Sequence, residues 1–90
     1  MRRADGSPVD ILVVDDEAVL AEMMSMALRY EGWTVRTAAD GAAALAAARE
    51  DRPDAVVLDV MLPDMSGLEV LGALREQHPQ LPVLLLTAKD

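Results

Sequence analysis

Three short runs made wholly of apolar residues, 11–14 (Ile-Leu-Val-Val), 55–58 (Ala-Val-Val-Leu) and 83–86 (Val-Leu-Leu-Leu), each stop at a residue that carries chemistry: Asp15, Asp59 and Thr87. A strand that is apolar at every position is buried on both faces, as strands of a parallel sheet are. Longer stretches of helical pattern separate the runs, and such alternation folds as a parallel sheet covered by helices. The fold class read from the sequence is therefore α/β, with a doubly wound parallel sheet.

Four strands and three helices can be counted. After the first run, Leu20, Met23, Met24, Ala27 and Leu28 recur at spacings of three and four, so they are predicted to face the sheet from a helix ending near Glu31 and Gly32. Two of the three clustered methionines, Met23, Met24 and Met26, are expected in the core. Residues 33–37 read as a second strand. Asp40 is the predicted N-cap of an alanine-rich helix that Pro53 terminates. Ser66 and Glu69 have capping-box spacing and open a third helix expected to pack through Leu68, Leu71 and Leu74. The last apolar run is a fourth buried strand.

Ninety residues suit one domain, read as residues 9–90 behind a flexible leader, 1–8. Without cysteine there is no disulfide framework. A net charge of -8 repels nucleic-acid phosphates, so direct contact with nucleic acid by this segment is not expected. Tyr30 and Trp33 are the only aromatic residues, too few for a base-stacking platform. The longest apolar run, 42–48, is far short of the roughly 18 residues of a membrane span. A soluble, cytoplasmic protein is the expectation.

In an open parallel sheet the strands point one way, so Asp15, Asp16, Asp59 and Thr87 should converge on one edge. Three carboxylates crowded together disfavour one another unless a cation sits among them. All the donors are hard oxygens, with no His or Cys nearby, which selects Mg²⁺ and not zinc. A carboxylate beside Mg²⁺ at such a sheet edge can attack phosphorus and form an aspartyl phosphate. Asp59, alone on its strand, is the candidate acceptor. Asp15 and Asp16 are suited to hold the metal, and Thr87 to donate a hydroxyl hydrogen bond. Taken alone, Asp15-Asp16-Glu17 could equally be a helix cap.

These residues resemble the receiver domain of bacterial two-component response regulators, from Asp10 to the end of the chain. Residues 12–17 look like its first motif, 57–67 (through Asp59, Met61, Pro63, Asp64, Ser66 and Gly67) like its phosphoacceptor motif, and 86–88 like its switch motif. The resemblance implies a flavodoxin-like fold with strand order 2-1-3-4-5. It implies that Asp59 takes a phosphoryl group from the phosphohistidine of a sensor histidine kinase. It also implies that Asp16, Asp59 and the Met61 carbonyl bind Mg²⁺ directly, with Asp15 acting mainly through water, and that Thr87 swings toward the phosphoryl group. Met61 and Lys89 fall at the positions that tune phosphoryl lifetime. A phosphoacceptor signalling domain, and not an enzyme of general turnover, is the implied activity.

The family runs on for a fifth strand, two flanking helices and an active-site lysine; Lys89 lies in the wrong place for that lysine and reads as a rim residue. The expectation is a shortened or partly disordered receiver, or a homodimer or segment-swapped oligomer formed through the open apolar edge of the fourth strand. The acceptor motif looks most like receivers joined to winged-helix DNA-binding domains, which implies transcription regulation through an effector domain absent from this sequence. Rival functions fit less well. A haloacid-dehalogenase-like phosphatase needs an acid where Met61 stands, and in a flavodoxin-type module Asp15-Asp16-Glu17 would repel the flavin phosphate. The intact acids and Thr87 speak against a receiver-like module that is never phosphorylated. His78, at a helix end before Pro79, is read as a structural partner of the helix dipole.

Overall fold

The computed structural model describes residues 2–86. They form β1 (Asp10–Val14), α1 (Ala18–Tyr30), β2 (Thr34–Ala38), α2 (Gly41–Glu50), β3 (Ala55–Asp59), α3 (Gly67–Gln77) and β4 (Val83–Leu86). The strands make one parallel sheet in the order β2-β1-β3-β4. The α/β class and the seven elements agree with the sequence reading. The strand order agrees with the one that the resemblance implies. Among the described residues no helix is long and apolar enough to cross a membrane.

From β1 the chain steps outward to β2, then reverses and passes β1 to reach β3 and β4. With right-handed crossovers this reversal puts helices on opposite faces. On one face Ala21 of α1 packs with Val9, Ile11, Val13 and Val35. On the other, Ala44 and Ala48 of α2 and Val70 and Leu74 of α3 cover Leu12, Val14, Val56 and Leu58. The point of reversal lies between β1 and β3, where parallel sheets open a crevice at the carboxyl ends of their strands.

Three packing expectations are corrected. Helix α1 buries Ala21 and Ser25, with Met24 and Leu28 packed beside them, whereas Leu20, Met23 and Met26 are exposed. Only one of the three clustered methionines thus reaches the core. The cause is size: small side chains at 21 and 25 let the helix backbone approach the sheet. The hydroxyl of Ser25 donates to the Ala21 carbonyl at 2.8 Å, so it is buried without an orphaned polar group. In α3, Val70 and Leu74 are buried and Leu68 is exposed, because the turn that docks Gly67 against β3 aims position 68 outward. Strand β4 is the sheet edge and is only half-buried, with Leu84 61 % exposed. Val57, Leu84, Leu28 and Trp33 line an apolar groove of about 650 Å³ beside it.

At the opposite end of the sheet from the crevice, charges are neutralised locally. Arg36 on β2 donates to both carboxylate oxygens of buried Asp10, at 2.8 and 3.3 Å, and to the carbonyls of Ala47 and Asp51. The His78 ring nitrogen Nε2 donates to the Ala48 carbonyl at 3.2 Å, which places the histidine at the C-terminal end of α2. In segment 2–8, read above as a leader, a bridge joins Arg2 to Pro8, and Arg3 Nε donates to Asp54 Oδ2 at 2.6 Å.

Asp54 also accepts the Asp10 N–H at 2.7 Å. Burial pushes its carboxyl up, but the hydrogen bonds from the Asp10 N–H and the Arg3 guanidinium outweigh that and hold it below its ordinary value of 3.8. A depressed carboxylate contributes stability that is complete above the unfolded-state value and is lost as pH falls through the folded one. Chemical denaturation from about pH 5 down to about pH 3 should show falling stability, with a shallower fall in Asp54→Asn. An equally steep fall in the variant would remove Asp54 from the account.

Candidate functional site

The crevice end of the sheet is built by main-chain turns that follow β1 and β3. Asp15 leaves β1 with its N–H on the Ala38 carbonyl at 3.1 Å, and its Oδ1 accepts the Glu17 N–H at 2.9 Å. This turn starts α1, whose N-cap Glu17 makes no side-chain cap of its own. Asp15 is only 4 % exposed, whereas Asp16 points into solvent. Asp59 ends β3 opposite Leu86 of β4 and is half-buried. Its Oδ1 accepts the Met61 N–H at 3.0 Å, which fixes the main chain of Met61 beside it.

One carboxylate oxygen each from Asp15, Asp16 and Asp59 lies within 4.8 Å of the others. The sequence placed these acids at one edge, and the structure brings them together there. The donors suit a hard divalent cation: all are oxygens, and their spread fits an ion that binds at ~2.1 Å and keeps several waters. Thr87 and Lys89 lie outside the described residues.

The loop after Asp59 is held by more bonds than the sequence indicated. Met61 and Ser66 form an antiparallel bridge, and the Gly67 N–H donates to the Val60 carbonyl at 2.7 Å. Ser66 and Glu69 make the expected capping box at the start of α3. Gly67 sits so close to β3 that a Cβ there would overlap the Asp59 carbonyl oxygen and meet Val60 Cα at 2.6 Å. Asp64 reaches across to α2, where Oδ1 accepts the Gly41 N–H at 2.8 Å and Oδ2 the Ala42 N–H at 3.0 Å. Those two bonds hold its carboxyl below the ordinary 3.8. Asp40 caps the same helix through the Ala43 N–H at 2.7 Å, as expected.

Asp64 and Gly67, members of the acceptor motif, and Gly41 are thus structural partners of the site through contacts that the sequence did not indicate.

Residues 11–90 match the response regulator receiver domain family. The chain is 76 % identical over its whole length to the "Probable transcriptional regulatory protein TcrX" of Mycobacterium tuberculosis, of which it covers 38 %. It is 51 % identical over its whole length to the transcriptional regulatory protein TrcR of the same organism, covering 35 %. The chain therefore spans under two fifths of these curated relatives. Among solved structures, the response regulator TrrA of Thermotoga maritima, in complex with Mg(2+)-BeF, superposes with a TM-score of 0.86 at 39 % identity, covering 91 % of this chain and 71 % of that one. The chemotaxis protein CheY4 of Vibrio cholerae gives 0.88 at 38 % identity, covering 93 % and 72 %.

Proposed function

We propose, from the premise that this chain belongs to the response regulator receiver domain family, that Asp59 accepts a phosphoryl group from a phosphohistidine of a sensor histidine kinase. The observation that carries the reading is the gathering of Asp15, Asp16 and Asp59 oxygens within 4.8 Å at the reversal point of the sheet. Asp16, Asp59 and the Met61 carbonyl would hold Mg²⁺ directly, with Asp15 beside them. When bound, Mg²⁺ supplies positive charge that offsets the carboxylates and an incoming phosphoryl oxygen.

The chain's own residues do the rest. An Asp59 carboxylate oxygen forms the new bond to phosphorus as the P–N bond to the donor imidazole breaks, leaving its electron pair on that nitrogen. The Met61 N–H on Oδ1 orients the carboxylate for this. Thr87, next after a residue paired with Asp59, would donate its hydroxyl to the phosphoryl group. Adding about two negative charges there would bias a two-state surface. Residues 9–90 would act as the receiver, 1–8 as its leader, and a DNA-binding domain in the longer protein as the transcriptional output. The whole would work in the cytoplasm.

Acetyl phosphate with Mg²⁺ should add one phosphoryl group to the intact mass, and a chelator should prevent it. Uptake that is indifferent to the chelator would overturn the metal assignment. Mg²⁺ at about a hundred times its dissociation constant should stabilise the fold by about 2.7 kcal/mol, raising Tm by roughly 10–20 °C in a domain of this size. An unmoved Tm at saturating Mg²⁺ would argue against the site.

A further inference from the structure

We propose that Asp64 is a positioning residue of the acceptor site: by bracing the 60–66 loop against the N-terminus of α2, it sets where the main chain of Met61 lies beside Asp59. The inference rests on the acceptor reading above. The loop has three attachments, and they differ in kind. At its base the Gly67 N–H bonds the Val60 carbonyl at 2.7 Å. Across its neck Met61 bridges Ser66. At its tip only side chains hold it: the Asp64 carboxylate takes the Gly41 and Ala42 N–H groups at 2.8 and 3.0 Å. The Met65 side chain lies over Gly41, where an added Cβ would fall 2.5 Å from Met65 Cγ.

The first N–H groups of a helix have no intrahelical partner, so they bind a carboxylate strongly and in a fixed direction. One carboxylate spanning two successive N–H groups constrains the tip in two directions at once. Asp64 is exposed and is not one of the clustered acids, so its influence on the metal site passes through the backbone of the loop.

Asp40 provides the internal comparison. It caps the same helix by a bond of the same kind, to the Ala43 N–H at 2.7 Å, but it precedes α2 and is not part of the 60–66 loop. If Asp64 served only to cap α2, the two acids would be interchangeable in effect.

The test uses ¹⁵N-labelled 90-residue chain, with Mg²⁺ titrated against the amide resonances of Val60 and Met61, and the rate of phosphoryl gain from acetyl phosphate followed by intact mass. Asp64→Ala should raise the Mg²⁺ dissociation constant about tenfold, the lower end of what losing an outer partner of a metal site costs, and slow phosphoryl gain at fixed Mg²⁺. Asp64→Asn, which keeps one acceptor oxygen, should fall between Asp64→Ala and the parent. Asp40→Ala should lower Tm and leave both readings within about twofold of the parent, since an N-cap acts on helix stability alone. Equal Mg²⁺ constants in the parent, Asp64→Ala and Asp64→Asn would overturn the proposal and leave Asp64 a cap. Parallel losses in the Asp64 and Asp40 variants would do the same. A parent that neither shifts with Mg²⁺ nor gains phosphate would sink the acceptor reading itself, a result distinct from parent uptake that Asp64 does not influence.

Discussion

With acetyl phosphate and Mg²⁺, Asp59→Asn is expected to gain no phosphoryl group under conditions in which the parent gains one. The substitution is close to isosteric. An asparagine carbonyl can still accept the Met61 N–H that Asp59 Oδ1 accepts at 3.0 Å, so the loop should keep its path. What is lost is the anionic oxygen that, in the proposed reaction, would attack phosphorus. The variant also makes a second, opposite prediction. Removing one of three negative charges whose oxygens lie within 4.8 Å relieves two repulsions, each worth about 1 kcal/mol even at the dielectric of bulk water. Without metal, Asp59→Asn should therefore melt higher than the parent, and with Mg²⁺ the difference should shrink or invert. Phosphoryl gain by Asp59→Asn equal to the parent's would move the acceptor elsewhere. A lower Tm without metal would mean that the acids are not in electrostatic conflict.

Gly67→Ala should be the most damaging single methyl in the described chain. The new Cβ would overlap the Asp59 carbonyl oxygen and lie 2.6 Å from Val60 Cα and 3.1 Å from the Asp59 carbonyl carbon. All three are backbone atoms at the end of β3 and the residue after it, so no rotamer change relieves the clash. Helix α3 would have to withdraw, which breaks the 2.7 Å bond from the Gly67 N–H to the Val60 carbonyl. A cost of about 3 kcal/mol, at the upper end of overpacking, is expected, lowering Tm by roughly 12–24 °C. Gly72→Ala on the same helix meets nothing within 4 Å. It should stabilise by about 0.5–1 kcal/mol through helix propensity alone. Similar Tm values for the two variants would show that α3 does not rest on β3 as closely as described.

The acids of the site were legible because strand ends punctuate the sequence: an apolar run that stops at a carboxylate fixes both the strand and the rim it reaches. Asp15, Asp16 and Asp59 follow from that with no knowledge of packing. The face of α1 was not legible in the same way. Spacing picks out 20/23/24/27/28, of which Met24 and Leu28 do pack against the sheet whereas Leu20, Met23 and Ala27 are exposed. Closeness of approach decided the matter, and the small Ala21 and Ser25 turn inward. Leu68 was misplaced for a similar reason, since its direction depends on how Gly67 docks. Asp64 was legible as a member of the acceptor motif, but its contact was not, because its partners are 22 and 23 residues away in sequence, on α2. No local pattern marks such a bond.

Strand β1 alternates between the two cores, with Ile11 and Val13 serving one and Leu12 and Val14 the other. Sliding it by one residue would merely exchange one set of aliphatic side chains for the other, so hydrophobicity alone barely objects to the wrong alignment. The guard against it lies at the ends. Asp10 is clasped by Arg36, and Asp15 sits against the Ala38 carbonyl. Either direction of slippage would drag an ionised group into oil and strand its partner. The same rim acid that belongs to the carboxylate cluster therefore also acts as a stop that keeps the central strand in phase with its neighbours.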